Sequence, residues 1–179
     1  MSVYFHANFY LDRGRLSGIL KSLIESPDLT DEQVAKPFGY KAPFTKRYKS
    51  WLKKCGLLEN TRKFKLTEKG KEIYSKDPDL NKTSTIDYMY EFLVSSEENA
   101  EVWHFFHYTF LPNHIEFTNI ELSEAISMKL MPHNPSHFAK NAPMIKVITR
   151  VLLDTYLSER AFKTLNIIGL KNKKYINLK

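Results

Sequence analysis

Residues 41–71 read KAPFTKRYKSWLKKCGLLENTRKFKLTEKGK and carry eleven Lys/Arg against two acids, Glu59 and Glu68. That net of +9 exceeds the +7 of the whole 179-residue chain, so the positive charge is concentrated in one place. Phe44, Tyr48, Trp51, Leu52 and Cys55 recur at the spacing of one helix face. Lys46, Lys49, Ser50 and Lys53 project the opposite way, with Arg47 and Lys54 on a flank. Pro43 suits the first turn of this helix and Gly56 its end. Residues 57–60 and 63–66 predict two short strands around Thr61 and Arg62, and Thr67 predicts the cap of a following turn of helix. A basic helix running into a basic hairpin is the sequence form of a winged helix. There the helix enters the DNA major groove and the hairpin reaches a neighbouring phosphate backbone.

The preceding residues supply the rest of such a unit. Residues 1–15 alternate loosely between apolar and polar, break at Gly14, and predict a short extended arm or strand. Leu16, Ile19, Leu20, Leu23 and Ile24 predict a first helix ending before Pro27. Thr30 with Gln33 is a capping-box pair opening a short second helix that Pro37 ends. Three helices and a hairpin then span roughly residues 16–75.

Composition changes at Asp77-Pro78-Asp79. By segment the net charge is −1 over residues 1–40, +9 over 41–71, −8 over 72–137 and +7 over 138–179. Two basic blocks flanking an acidic middle fit two surfaces on nucleic acid. Ile86, Met89, Tyr90 and Leu93 predict a helix. Val102, Trp103, Phe105, Phe106, Tyr108 and Phe110 cover nearly every face of the next one, which predicts burial between the two halves of the molecule. Thr118 with Glu121 caps a helix through Ile120, Leu122, Ala125 and Ile126. After a loop around Pro132 and Pro135 comes a stripe at Ile145, Val147, Ile148, Val151, Leu152 and Tyr156, with Lys146, Thr149 and Arg150 on its other side. LNIIGL and KKYINLK predict two strands around Lys171 and Asn172. Helix, helix and basic hairpin repeat the order of the first half.

The predicted architecture is mainly α with short β-hairpins: a winged helix-turn-helix domain (1–76), an acidic aromatic helical connector (77–117) and a second winged-helix-like unit (118–179). No apolar run approaches the ~20 residues of a membrane span and no leader-like segment opens the chain, which predicts a soluble cytoplasmic protein. Cys55 is the single cysteine, so no intramolecular disulfide forms, and its place on the apolar face predicts a core residue.

Candidate chemistry is sparse. His104 and His107 stand three apart, His133 and His137 four apart, and either pair has metal-ligand spacing without an adjacent carboxylate motif. Hydrogen-bonded histidine in an aromatic region accounts for them. Asp77 and Asp79 suit a solvated turn, and Glu97, Glu98 and Glu101 a helix N-terminus. There is no glycine-rich phosphate loop, no Ser/His/Asp signature and no zinc-type cysteine cluster, so no cofactor and no metal are called for.

Three passages resemble the bacterial family described as domain of unknown function 4007. Tyr4-Phe5-His6-Ala7-Asn8-Phe9 with Leu11, Gly14 and Leu16 is similar to its opening Gly-His-Glu-Thr-Phe motif, with Ala7 where the family has Glu and Asp12-Arg13 where it has Arg. Tyr48, Trp51-Leu52, Gly56-Leu57-Leu58, Leu66-Thr67 and Gly70 match its middle series. Ser96-Glu97-Glu98-Asn99-Ala100, Trp103, Phe106, Phe117-Thr118 and Glu121-Leu122 are similar to its most specific run. The resemblance covers most of the chain. It implies a DNA-acting component of a phosphorothioation or phage-defence system, with one branch of the family credited with nicking DNA.

The resulting expectation is a protein that holds double-stranded DNA. Lys41, Thr45, Lys46, Arg47, Lys49, Ser50, Lys53 and Lys54 are expected on the helix, Arg62, Lys63 and Lys65 on the wing, and Lys146 and Arg150 on the second unit. Lysine predominates, which favours phosphate over base readout and predicts strong salt dependence. The rival readings are a metal-dependent nickase, a transcriptional regulator, and a module that recruits protein partners encoded in the same modification or defence operon.

Overall fold

The computed structural model describes residues 3–61 and 63–179. The chain is mainly helical with one small antiparallel sheet. Helix α1 (Arg13–Glu25) starts earlier than its apolar stripe, because the Asp12 side chain accepts from the Arg15 amide at 3.0 Å and caps it. Gly14 therefore lies inside the first turn and is no break. Thr30 and Gln33 form the predicted capping box of α2 (Asp31–Ala35), which tightens into a 3₁₀ turn (Lys36–Phe38) and stops at Gly39 with φ +76°. Helix α3 (Ala42–Lys54) buries Phe44, Tyr48, Trp51 and Leu52 as its periodicity predicts, with Cys55 buried just beyond.

The hairpin after α3 is reduced. In place of the two expected strands, Leu58 and Leu66 form a single antiparallel bridge, flanked by Glu59 N–H to Lys65 O at 2.9 Å and Thr67 N–H to Leu57 O at 3.1 Å. A pair this short, with no third strand beside it among the described residues, makes few ladder bonds. Thr67 caps α4 (Glu68–Lys76), accepting from the Gly70 amide at 2.8 Å. A Cβ on Gly70 would stand 2.2 Å from the Leu57 carbonyl oxygen, so this helix approaches the hairpin closely only because residue 70 is glycine.

Asp77, expected in a solvated turn, is buried and accepts from the Asn81 and Lys82 amides at 3.1 and 2.9 Å. Helices α5 (Thr83–Val94) and α6 (Glu97–Phe105) follow, and α6 passes into one π-helical turn (Phe106–Phe110). Trp103, Phe106 and Phe110 are buried as the all-round apolar pattern predicts, whereas Tyr108 is 55% exposed because the wider π turn swings it outward. The short strand β1 (Glu116–Phe117) has no counterpart in the sequence pattern. It leads to α7 (Asn119–Leu130), opened by the predicted Thr118/Glu121 box, then α8 (Pro143–Leu157), β2 (Ile168–Lys171) and β3 (Lys174–Asn177). The sheet order is β1-β3-β2, pairing Phe117 with Tyr175 and Leu170 with Tyr175. Asn172 and Lys173, at φ +50° and +64°, make the tight turn between β2 and β3.

Residues 3–8 form turns and no strand, with Ala7 at φ +50°. This segment is held from both sides. From α3, Trp51 Nε1 donates to Phe9 O at 2.9 Å and the Tyr48 hydroxyl donates to Tyr10 O at 3.1 Å. On the α8 side, the Leu11 amide donates to Thr155 Oγ1 at 3.4 Å. Phe5, His6, Trp51 and Trp103 pack as one aromatic cluster, the two indoles edge-to-face at 5.3 Å. The buried apolar side chains from Val3 to Ile168 form one continuous core. Among the described residues no helix is long and apolar enough to cross a membrane.

Candidate nucleic-acid interface

The basic helix is less uniform than its sequence. Lys41, at the N-cap of α3, and Lys46 are exposed, and neither makes a side-chain hydrogen bond or ion pair among the described residues. Thr45 does not face outward: it is fully buried and its hydroxyl donates to Asp31 O at 2.7 Å, so it joins α3 to α2. Lys49 is ion-paired with Asp31 at 2.7 Å, and Ser50 donates back to Lys46 O at 3.0 Å. Lys53 Nζ donates to Thr61 O at 2.6 Å and steadies the hairpin. Arg47 is half-buried and donates to Phe5 O at 3.3 Å. Lys54 lies 6.0 Å from the centre of the Phe5 ring, and partial burial with Lys53 alongside lowers its pKa.

On the hairpin, Lys63 is exposed, while Lys65 pairs with Glu59 at 2.6 Å. Arg62 lies outside the described residues. In the second half, Lys146 and Arg150 are exposed on α8. Thr149, expected beside them, is buried, and its hydroxyl donates to Ile145 O at 2.9 Å. It also accepts from the Ser123 hydroxyl at 3.2 Å, so this residue joins α8 to α7 and is no part of the outward face.

Both basic helices hold the N-terminal segment that carries one buried histidine, Arg47 of α3 donating to Phe5 O and Thr155 of α8 accepting from the Leu11 amide. His6 is fully enclosed and its Nδ1 bonds to Ala7 O at 2.7 Å. Burial lowers its pKa to about 3, and the positive charges of Arg47 from α3 and Arg150 from α8 lower it further. These charges come from helices that lie far apart in sequence. Beyond the predicted residues, the turn joining β2 and β3 presents Lys171 and Lys173 on the surface, with Lys174 ion-paired to Glu116. Lysines around an Asn turn between two β-rich runs were the available signal for this tip.

The remaining chemical candidates are structural. His104 Nδ1 bonds to Val94 O at 2.8 Å, and His107 Nδ1 to the Tyr90 hydroxyl at 2.5 Å. His133 and His137 stand in turns rather than on a helix. His133 Nε2 pairs with Glu101 at 2.8 Å, so Glu101 is committed to a partner and is not a solvated helix-terminal acid. Burial raises the pKa of the enclosed Cys55 thiol. Among the described residues no group of three or more His, Cys, Asp or Glu side chains is placed to hold a metal ion.

No curated protein and no solved structure matches this chain. The sequence profile of a family described as a protein of unknown function, DUF4007, matches residues 6–168, which spans His6, Trp51 and Trp103 of the aromatic cluster, both basic helices and the start of the final hairpin. The chain belongs to the DUF4007 family.

Proposed function

We propose that the protein binds duplex DNA as a winged-helix protein, with α3 and α8 on one basic face, and that it serves a DNA modification or phage-defence system. The observation that carries this reading is that α3 and α8 both hold the N-terminal segment, through Arg47, Tyr48 and Trp51 on one side and Thr155 on the other, since this brings the two basic blocks of the sequence to the same segment. The element order supports it. Strand β1, helices α7 and α8, and the β2–β3 hairpin, with β3 central, follow the order of a winged-helix unit. Helices α1 to α3 with the Leu58/Leu66 bridge give a reduced version of it. A boundary near residue 76 and a second one just before Glu116, so that β1 stays with its own unit, then divide two such units from an acidic connector.

The cations left open shape the mode of binding. Lys41, Lys46, Lys63, Lys146 and Arg150 are exposed, whereas Lys49, Lys53 and Lys65 are engaged within the protein. Mostly lysine means phosphate contact ahead of base readout. Fluorescence anisotropy of a labelled duplex, titrated over a range of salt, tests the reading. Lys46→Ala/Arg150→Ala is expected to flatten the log-log salt slope by about 0.9 for each phosphate that the variant no longer neutralises. Binding with unchanged affinity and slope sinks the proposed face.

A further inference from the structure

A cleft lies between the acidic helix α5 and the C-terminal part of the chain. It has a volume of about 690 Å³ and opens between α5, the π turn and residues 164–165. Asp87, Tyr90 and Glu91 share one face of α5 and line it. Neither carboxylate makes an ion pair or hydrogen bond among the described residues, whereas Glu97 and Glu101 pair with Lys129, Glu116 with Lys174 and Glu124 with Lys140. Two acids in a cleft do not by themselves make a site, and the aromatic wall is what gives the cleft a chemical preference.

That wall is built from the core outward. The buried Tyr156 hydroxyl donates to the Tyr90 hydroxyl at 3.4 Å, and the Tyr90 hydroxyl is hydrogen-bonded to His107 Nδ1 at 2.5 Å. The π turn sets His107 and Tyr108 side by side on the cleft wall, their rings edge-to-face at 4.5 Å. Single π turns of this kind recur at functional sites. Partial burial and the charge of Lys179 lower the His107 pKa, so its ring stays uncharged near neutrality. One cation already occupies this environment: the Lys179 ammonium lies 5.3 Å from the centre of the Tyr90 ring, within cation–π range.

Unpaired carboxylates, an electron-rich phenol face, an uncharged imidazole and a resident ammonium all favour the same kind of guest. We propose that this cleft binds an alkylammonium group, with Asp87 and Glu91 neutralising the charge, Tyr90 receiving it on its ring face, and Lys179 acting as an internal competitor. The group has two sources, a free polyamine or a lysine side chain on a protein partner. The volume falls within the usual range of small-ligand sites. This site is independent of the DNA-binding face and stands or falls separately from it.

The test follows the His107 imidazole resonances of the full chain by NMR during titration with spermidine and with Nα-acetyl-lysine N-methylamide. The same peptide acetylated on Nε serves as the uncharged control. Saturable shifts with either amine are expected. Spermidine alone identifies the polyamine as the source, and preference for the lysine amide identifies a partner side chain. Asp87→Asn/Glu91→Gln is expected to weaken binding at least tenfold, and Lys179→Ala to tighten it at least threefold. All three substituted positions are exposed, and a melting curve verifies that each variant is folded. Absence of any shift, equal binding of the acetylated control, or unchanged affinity in the Asp87→Asn/Glu91→Gln variant overturns the proposal.

Discussion

Arg13 Nη2 donates to the carbonyl oxygen of Glu159 at 2.7 Å, joining residues 146 positions apart. Its Nη1 donates to Leu80 O at 2.9 Å and to Asn81 Oδ1 at 2.7 Å. One guanidinium, only 7% exposed, thereby ties the start of α1 to the turn before α5 and to the segment after α8. Arg13→Met leaves those buried acceptors unpaired and is expected to cost about 3 kcal/mol in a urea melt. Arg13→Lys is not expected to rescue it, because a single ammonium on a shorter reach replaces a planar fork. Equal urea midpoints for wild type and Arg13→Met would show that this clamp contributes nothing to stability.

His6 sets an acid limit on stability. Its folded-state pKa, lowered to about 3, lies below the unfolded value near 6.5, so between these values the unfolded chain binds the extra proton. Stability from this group is complete above pH 6.5 and declines as pH falls toward 3. The loss is about 2 kcal/mol at pH 5 by linkage. Chemical denaturation at pH 7 and pH 5 measures it, and His6→Phe is expected to remove much of the difference. An identical pH dependence in that variant would assign the effect elsewhere.

Gly70 tests the packing of α4 on the hairpin. Alanine is the better helix former by about 1 kcal/mol, yet its Cβ would fall 2.2 Å from the Leu57 carbonyl oxygen. Backbone must move to admit it, and overpacking of that kind costs about 1–3 kcal/mol. Gly70→Ala is therefore expected to lower the melting temperature. A higher melting temperature would show that the hairpin yields without penalty.

Thr45 and Lys46 are neighbours with opposite expected phenotypes. Thr45→Val loses the hydroxyl bond to Asp31 O and is expected to cost about 1 kcal/mol of stability while leaving the salt dependence of DNA binding unchanged. Lys46→Ala, on the exposed side, is expected to leave stability within about 0.5 kcal/mol and to flatten the salt slope. Thermal melts alongside anisotropy titrations separate the two, and a DNA defect in Thr45→Val at unchanged stability would reverse the assignment.

The helices were legible because burial imposes a period on apolar side chains. Phe44, Tyr48, Trp51 and Leu52 announce the inner face of α3, and the Thr30/Gln33 and Thr118/Glu121 pairs announce two helix starts through bonds confined to four residues. The N-terminal turns were not legible, since Trp51, Tyr48 and Thr155 hold them from distant positions. Strand β1 was likewise hidden: two residues carry no alternation, and its partner β3 lies some sixty residues away.

The outward side of α3 shows the same division within one helix. Periodicity places Lys46, Lys49 and Lys53 on one face, but it carries no information about Asp31 or the Thr61 carbonyl, which engage two of the three. By itself the sequence determined the helical elements, the family, and the two basic blocks around an acidic middle, because each rests on local periodicity, motif or composition. Only the tertiary structure decided which cations remain open, that α3 and α8 both hold the N-terminal segment, and that Tyr156, Tyr90 and His107 line up behind a cleft. Those are relations between residues far apart in the chain, fixed by packing around a shared core, and no local pattern encodes them.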